Sequence, residues 1–201
     1  MNSRLSTTRN TSLSAETSPA LSAEIGRNIL VVVDMQMGFQ AALEPWLLDA
    51  VEAEVCQANQ AMWSIVALEF LCANPLRFYG NTHDRIVRAA QTKAAKTKAA
   101  LPQKEKADDR QRFFMRAKAQ MDGSDRVLDV CMKEDYQPRL FRVCGVKSRA
   151  CVEATAVGLA RRFPQSNVEV LTHACNQDDG NDWSVWNGFP IMANLRLIKS
   201  R

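Results

Sequence analysis

Two hydropathy rhythms alternate along this chain. Short apolar runs recur at Asn28-Ile-Leu-Val-Val-Val-Asp34, Ser64-Ile-Val-Ala-Leu-Glu-Phe-Leu71, Arg112-Phe-Phe-Met-Arg-Ala117, Arg139–Val143, Val168-Glu-Val-Leu-Thr172 and Leu195-Arg-Leu-Ile198. Such runs, bounded by polar or turn residues, predict strands. The first holds five consecutive apolar residues, three of them Val. A run without a polar face suits a parallel strand covered by helices on both sides. Between the runs the spacing changes to that of helices. Leu47, Leu48, Val51, Val55, Ala58 and Met62 share one face. Thr82 caps a predicted helix through Ile86 and Val87, and Ser124 caps another over Asp125–Glu134. A fourth runs from Ser148 through Val152, Thr155, Leu159 and Phe163 and stops at Pro164. A short helix is expected over Asp182–Ala193. The alternation predicts an α/β architecture with about six strands in a mainly parallel sheet.

The first 24 residues break the rhythm. Ten are Ser or Thr, and no apolar period is visible. Residues 1–24 therefore read as a disordered tail, and 25–201 as one domain. Arg4 and Arg9, with no acid before Glu16, keep an organelle-targeting peptide open as the alternative.

Composition narrows the partners. The 201 residues are 46% hydrophobic and 24% charged with net charge +4, a mild excess that does not argue for nucleic acid. Lys93, Lys96, Lys98, Lys104 and Lys106 form the one basic stretch, diluted by Glu105, Asp108 and Asp109, and read best as a solvated face. Six scattered cysteines without CxxC pairs, and only two histidines, leave no zinc-finger spacing. Reduced thiols in a full-sized core suggest a cytoplasmic setting. No run of 18 apolar residues is present, so a membrane partner is not expected.

The chemistry concentrates at Phe141–Val157, FRVCGVKSRACVEATAV. It reads as a strand end, a turn at Gly145 and a helix start. With Ser148 as N-cap, Cys151 falls at the third helical position, where the helix dipole lowers a thiol pKa. Cys151 is then a candidate nucleophile; the alternative is a small buried thiol that only packs. Asp34 stands at the carboxyl end of the first strand, either as a site carboxylate or as a loop cap. Lys118 stands just beyond the third. In a doubly wound sheet of order 3-2-1-4-5-6 the first and fourth strands are neighbours at the switch point, which brings Asp34 and Cys151 to one crevice. A carboxylate to take the thiol proton and an ammonium to stabilise negative charge make chemical sense there.

Three segments resemble the isochorismatase-like cysteine hydrolases, among them nicotinamidases and N-carbamoylsarcosine amidases. They are VVVDMQ (Val31–Gln36), Lys118 ahead of MDGSDRVL (Met121–Leu128), and CGVKSRACVEATAVGLA (Cys144–Ala160). VEVLTHAC (Val168–Cys175) adds to them, and the resemblance runs from about Asn28 to Arg201. It implies a three-layer α/β sandwich and a catalytic triad of Asp34, Lys118 and Cys151, with a thioester formed at Cys151. It implies a non-proline cis peptide at Val146–Lys147, with Ser148 and its neighbours presenting N–H groups to an oxyanion. It also implies a small-molecule substrate and a homo-oligomer, with no cofactor.

The departures are as informative. Lys147 stands where the family has a small residue, and His173 replaces the usual Asp. The second strand lacks the family's Asp-x-His pattern, so no metal site is expected. Gln36, Glu69, His173 and Trp183 are pocket candidates. Glu69 is equally a capping glutamate, and Trp183 and Trp186 are more readily core. The expected function is hydrolysis of a small amide-type carbon–nitrogen bond. The alternative is a catalytically altered relative serving as a binding or oligomeric scaffold.

Overall fold

A computed structural model describes residues 28–72, 79–92, 111–178, 180 and 182–199. The Ser/Thr-rich tail, the Asn74–Pro75 turn and the lysine stretch lie outside the described residues. Six strands alternate with four helices: β1 Asn28–Val33, α1 Pro45–Gln60, β2 Ser64–Phe70, α2 Asp84–Gln91, β3 Phe113–Lys118, α3 Ser124–Glu134, β4 Leu140–Val146, α4 Glu153–Arg162, β5 Asn167–Asn176 and β6 Leu195–Ile198. The strands form one sheet in the order β3-β2-β1-β4-β5-β6, and every pairing is parallel.

Direction reverses once, between β3 and β4, and this reversal builds the layers. Right-handed crossovers moving outward from β1 place α1 and α2 on one face; those moving the other way place α3 and α4 on the opposite face. The packing follows suit, α1 against α2 and α3 against α4. Asn59 fastens the first pair, its Nδ2 donating to the carbonyls of Ala89 at 2.6 Å and Ala90 at 3.1 Å. The result is a three-layer sandwich. Covered on both sides, β1 is buried from Ile29 to Val33, as its unbroken apolar run requires.

Several local expectations are corrected. Gly145 is not a turn but lies inside β4, at φ +119°, where the pairing with β5 shifts register. An added Cβ there would sit 2.1 Å from the Val33 carbonyl oxygen, so only glycine lets β4 lie this close to β1. β5 runs on to Asn176, because Ala174, Cys175 and Asn176 are buried and the last two still pair with Gly145 and Val146 of β4. The N-cap of α2 is His83, whose Nδ1 accepts from the Arg85 amide, while Thr82 is engaged by Glu69. The cap of α3 is Gly123, with Ser124 as the first helical residue. The helix expected over 182–193 is a single 3₁₀ turn, Trp183–Trp186. Asn187 already takes the chain into extended geometry, and Gly188 follows at φ +71°.

Candidate active site

The carboxyl ends of β1, β3 and β4 bring together Asp34, Lys118 and Cys151. Asp34 follows β1 directly and turns the chain at φ +53°. Aspartate tolerates this left-handed region better than most side chains. Its amide donates to the Leu68 carbonyl at 2.9 Å, holding the turn against β2. Its side chain is completely buried. Lys118 is the last residue of β3, not one beyond it, and is also buried. Its Nζ donates to Asp34 Oδ2 at 2.9 Å and to the carbonyls of Gln120 and Met121, each at 3.2 Å. Three acceptors satisfy all three ammonium protons. Gly123 makes room for the lysine stem: a Cβ there would lie 2.9 Å from Lys118 Cδ.

Cys151 sits in a π-helical turn, Ser148–Val152, between β4 and α4. The peptide bond Val146–Lys147 at the head of this turn is cis, as the resemblance implies. The Lys147 carbonyl accepts from the amides of both Ala150 and Val152, each at 3.1 Å. Gln177 Oε1 accepts from the Arg149 amide at 3.1 Å, so the end of β5 clasps the same turn. Wide single turns of this kind recur at functional sites because they push one residue out of helical register.

The electrostatics reverse one expectation. The Cys151 thiol is not acidified; its pKa is raised, chiefly by burial and then by the adjacent Asp34 charge, with Lys118 partly opposing. The α-helix begins only at Glu153, after Cys151, so the thiol does not stand over a regular helix N-terminus. Burial also raises the Asp34 carboxyl, against the lowering effects of Lys118 and Cys151. The resting thiol therefore keeps its proton. Asp34 Oδ1 is buried with no partner at hydrogen-bond distance, although the carboxylate interacts with the thiol. This unpaired oxygen has the capacity to accept a proton.

The other candidates are placed as follows. Gln36 is buried and spent on backbone: its Nε2 donates to Gly80 O at 2.7 Å and Phe70 O at 3.3 Å, and its Oε1 accepts from Phe70 N at 2.6 Å. It ties the end of β2 to the 79–82 loop. Glu69 Oε1 accepts from the Thr82 amide at 2.7 Å and hydroxyl at 2.9 Å, in the same loop. His173 does not join the site, since its Nε2 lies 3.0 Å from Glu54 on α1. Trp183 is half-exposed and faces the Lys199 ammonium at 3.6 Å; Trp186 is buried against Phe189. Val146 is buried at the end of β4. Ser148 is completely buried with no partner for its Oγ. Lys147 pairs with Asp178 and lies over the Phe39 ring.

Sequence reasoning passed over Phe39, Phe70 and Tyr79. Phe39 and Tyr79 stack at 4.2 Å and 8°, and Tyr79 meets Phe70 edge-on at 5.9 Å. They come from loops and a strand end without periodicity, so no local signal marks them. Thr155 is more than a helix position: its Oγ1 accepts from the Gly123 amide and donates to the Met121 carbonyl. It thereby supports the loop that holds Lys118. Among the described residues no group of three or more His, Cys, Asp or Glu side chains could hold a metal ion. None of the described helices is long and apolar enough to cross a membrane.

No protein-family model and no curated protein matches this chain. Solved structures do. A putative isochorismatase-family hydrolase from Chromobacterium violaceum aligns over 88% of this chain and 91% of its own, with TM-score 0.60 and 11% identity. N-carbamoylsarcosine amidase from Thermoplasma acidophilum aligns over 86% and 96%, with TM-score 0.58 and 14% identity. The MAR1 ribonuclease from Caenorhabditis elegans aligns over 80% and 68%, with TM-score 0.56 and 14% identity. At such identities the likeness speaks for the fold, which this chain shares with isochorismatase-type proteins.

Proposed function

We propose that the protein hydrolyses a small amide-type carbon–nitrogen bond with Cys151 as nucleophile. The observation that carries the reading is the buried Lys118–Asp34 pair, at 2.9 Å, beside the Cys151 thiol, with the lysine fully satisfied and Asp34 Oδ1 left without a partner. The amidases that share the fold support it. Since the resting thiol holds its proton, attack and deprotonation are coupled. Asp34 takes the S–H proton as sulfur adds to the carbonyl carbon. The Ser148 and Cys151 amides are the donors proposed to face the developing oxyanion, because that of Arg149 is bonded to Gln177 Oε1 and that of Ala150 to the Lys147 carbonyl. The C–N bond then breaks, and the leaving nitrogen takes the proton back from Asp34. Water attacks the thioester, again giving its proton to Asp34. The carboxylic acid leaves, and Cys151 recovers its proton. Lys118 holds Asp34 in place and stabilises the carboxylate whenever it is charged.

The test is a panel of primary amides and N-carbamoyl compounds, scored by ammonia release, with hydroxylamine added to trap an acyl-enzyme as hydroxamate. Turnover with a hydroxamate product, lost in Cys151→Ala, is the expected result. Full activity in that variant would sink the reading. A homo-oligomer acting on a small molecule belongs to the same proposal, and light scattering after gel filtration tests the assembly.

A further inference from the structure

We infer that Lys147 recognises an anionic group at the mouth of this site, so that the amide taken is one carrying a carboxylate. The inference rests on the hydrolase reading for the word amide but not for the anion. Four contacts make a continuous strip. Lys118 Nζ lies 4.8 Å from the Phe70 ring centroid. Phe70 meets Tyr79 edge-on, and Tyr79 stacks flat on Phe39. Lys147 Nζ then lies 5.9 Å from the Phe39 centroid. An aromatic wall thus runs from a buried ammonium to a second, part-exposed one.

The two ends differ. Lys118 has no proton left to offer an outside anion. Among the described residues Lys147 pairs with Asp178, whose side chain is 53% exposed. An exposed pair of this kind contributes about 0–1 kcal/mol, so a ligand carboxylate exchanges with Asp178 at little cost. Lys147 is not remote from the chemistry, since its own carbonyl closes the turn that carries Cys151. The next residue, Ser148, is buried with its hydroxyl unpartnered, as is Asp34 Oδ1. Buried polar atoms without partners are uncommon and mark places where a ligand or water completes the bonding. The amide then lies at the Lys118 end of the strip and its anion at the Lys147 end.

The rival explanation is that Lys147 and Asp178 merely pin the end of β5 to the turn. The two explanations give opposite signs. As a pin, Lys147→Met and Asp178→Asn impair the protein alike. As an anion site, Lys147→Met weakens a carboxylate ligand, while Asp178→Asn removes its competitor and strengthens it. The probes are 4-carbamoylbenzoate, its neutral counterpart terephthalamide, and the dicarboxylate terephthalate. The readouts are ammonia release and protection of Cys151 from iodoacetamide. We expect at least tenfold higher kcat/KM for 4-carbamoylbenzoate than for terephthalamide. We also expect loss of that preference in Lys147→Met, and several-fold tighter protection by terephthalate in Asp178→Asn. Protection by terephthalate without turnover of any amide sustains the anion site and overturns the hydrolase reading. Turnover without a carboxylate preference does the reverse. Equal loss in both variants, or no protection by terephthalate, overturns the inference.

Discussion

Replacing Lys118 with Met tests the electrostatic core of the site. Lys118 Nζ and Asp34 Oδ2 are 2.9 Å apart, and each side chain is 1% exposed. Removing one partner of a buried pair leaves the other charge uncompensated, at a cost of about 3–5 kcal/mol. Burial already raises the Asp34 carboxyl above its usual 3.8, with Lys118 opposing the rise. Without Lys118 it rises further. A carboxyl whose folded pKa is raised binds its proton more tightly in the folded state. Its contribution is therefore fully present below the unfolded pKa and lost as pH climbs through the folded one. The gap between wild type and Lys118→Met is accordingly small near pH 4 and grows toward pH 8. At about 2–4 °C per kcal/mol for a chain of this size, the neutral-pH deficit is roughly 6–20 °C in Tm. The double variant Asp34→Asn/Lys118→Met removes both charges and recovers most of the loss. Urea denaturation at pH 4, 6 and 8 measures all three proteins. A pH-independent gap, with the double variant no more stable than the single, would refute the reasoning.

The remaining predictions concern reactivity and geometry. In alkylation at pH 8, Asp34→Asn makes Cys151 react faster than wild type, because the carboxylate raises its pKa, and Lys118→Met makes it slower. Both variants lose turnover, so faster alkylation with lost hydrolysis is the signature of Asp34 as base. Mass spectrometry of the modified peptide reads the rates, and a slower Asp34→Asn reaction contradicts the assignment. Gly145→Ala forces a Cβ to 2.1 Å from Val33 O at φ +119°, and the resulting loss of at least ~3 kcal/mol shows in thermal unfolding. Gln36→Leu orphans the Phe70 amide and the Gly80 carbonyl, costing about 2–4 kcal/mol in all. Hydrogen exchange should quicken first at Gly80–Thr82; uniform quickening across the sheet argues against a local clasp.

How far the chain declares itself depends on the range of the signal. The unbroken apolar run of β1 and the helical spacing of α1 are local, and both elements fall within two residues of expectation. The order of the sheet follows from the alternation and the handedness of crossovers, so Asp34 and Cys151 follow neighbouring strands from pattern alone. The thiol's proton is another matter. A depressed pKa followed from treating Cys151 as a helix N-terminal residue. Burial and the Asp34 charge, both set by strands distant in sequence, decide it the other way.

The same division holds for the whole protein. Its sequence determined the α/β alternation, the apolar sheet and the three candidate residues at the carboxyl ends of strands, because periodicity and short motifs are written in neighbouring positions. Tertiary structure alone decided that Gln36 and Glu69 hold backbone in place, that His173 belongs to Glu54, and that Lys147 ends an aromatic wall. Each of those roles is a contact between residues more than ten positions apart. A side chain's chemistry at such a distance is set by which acceptors, rings and charges the folded chain places against it.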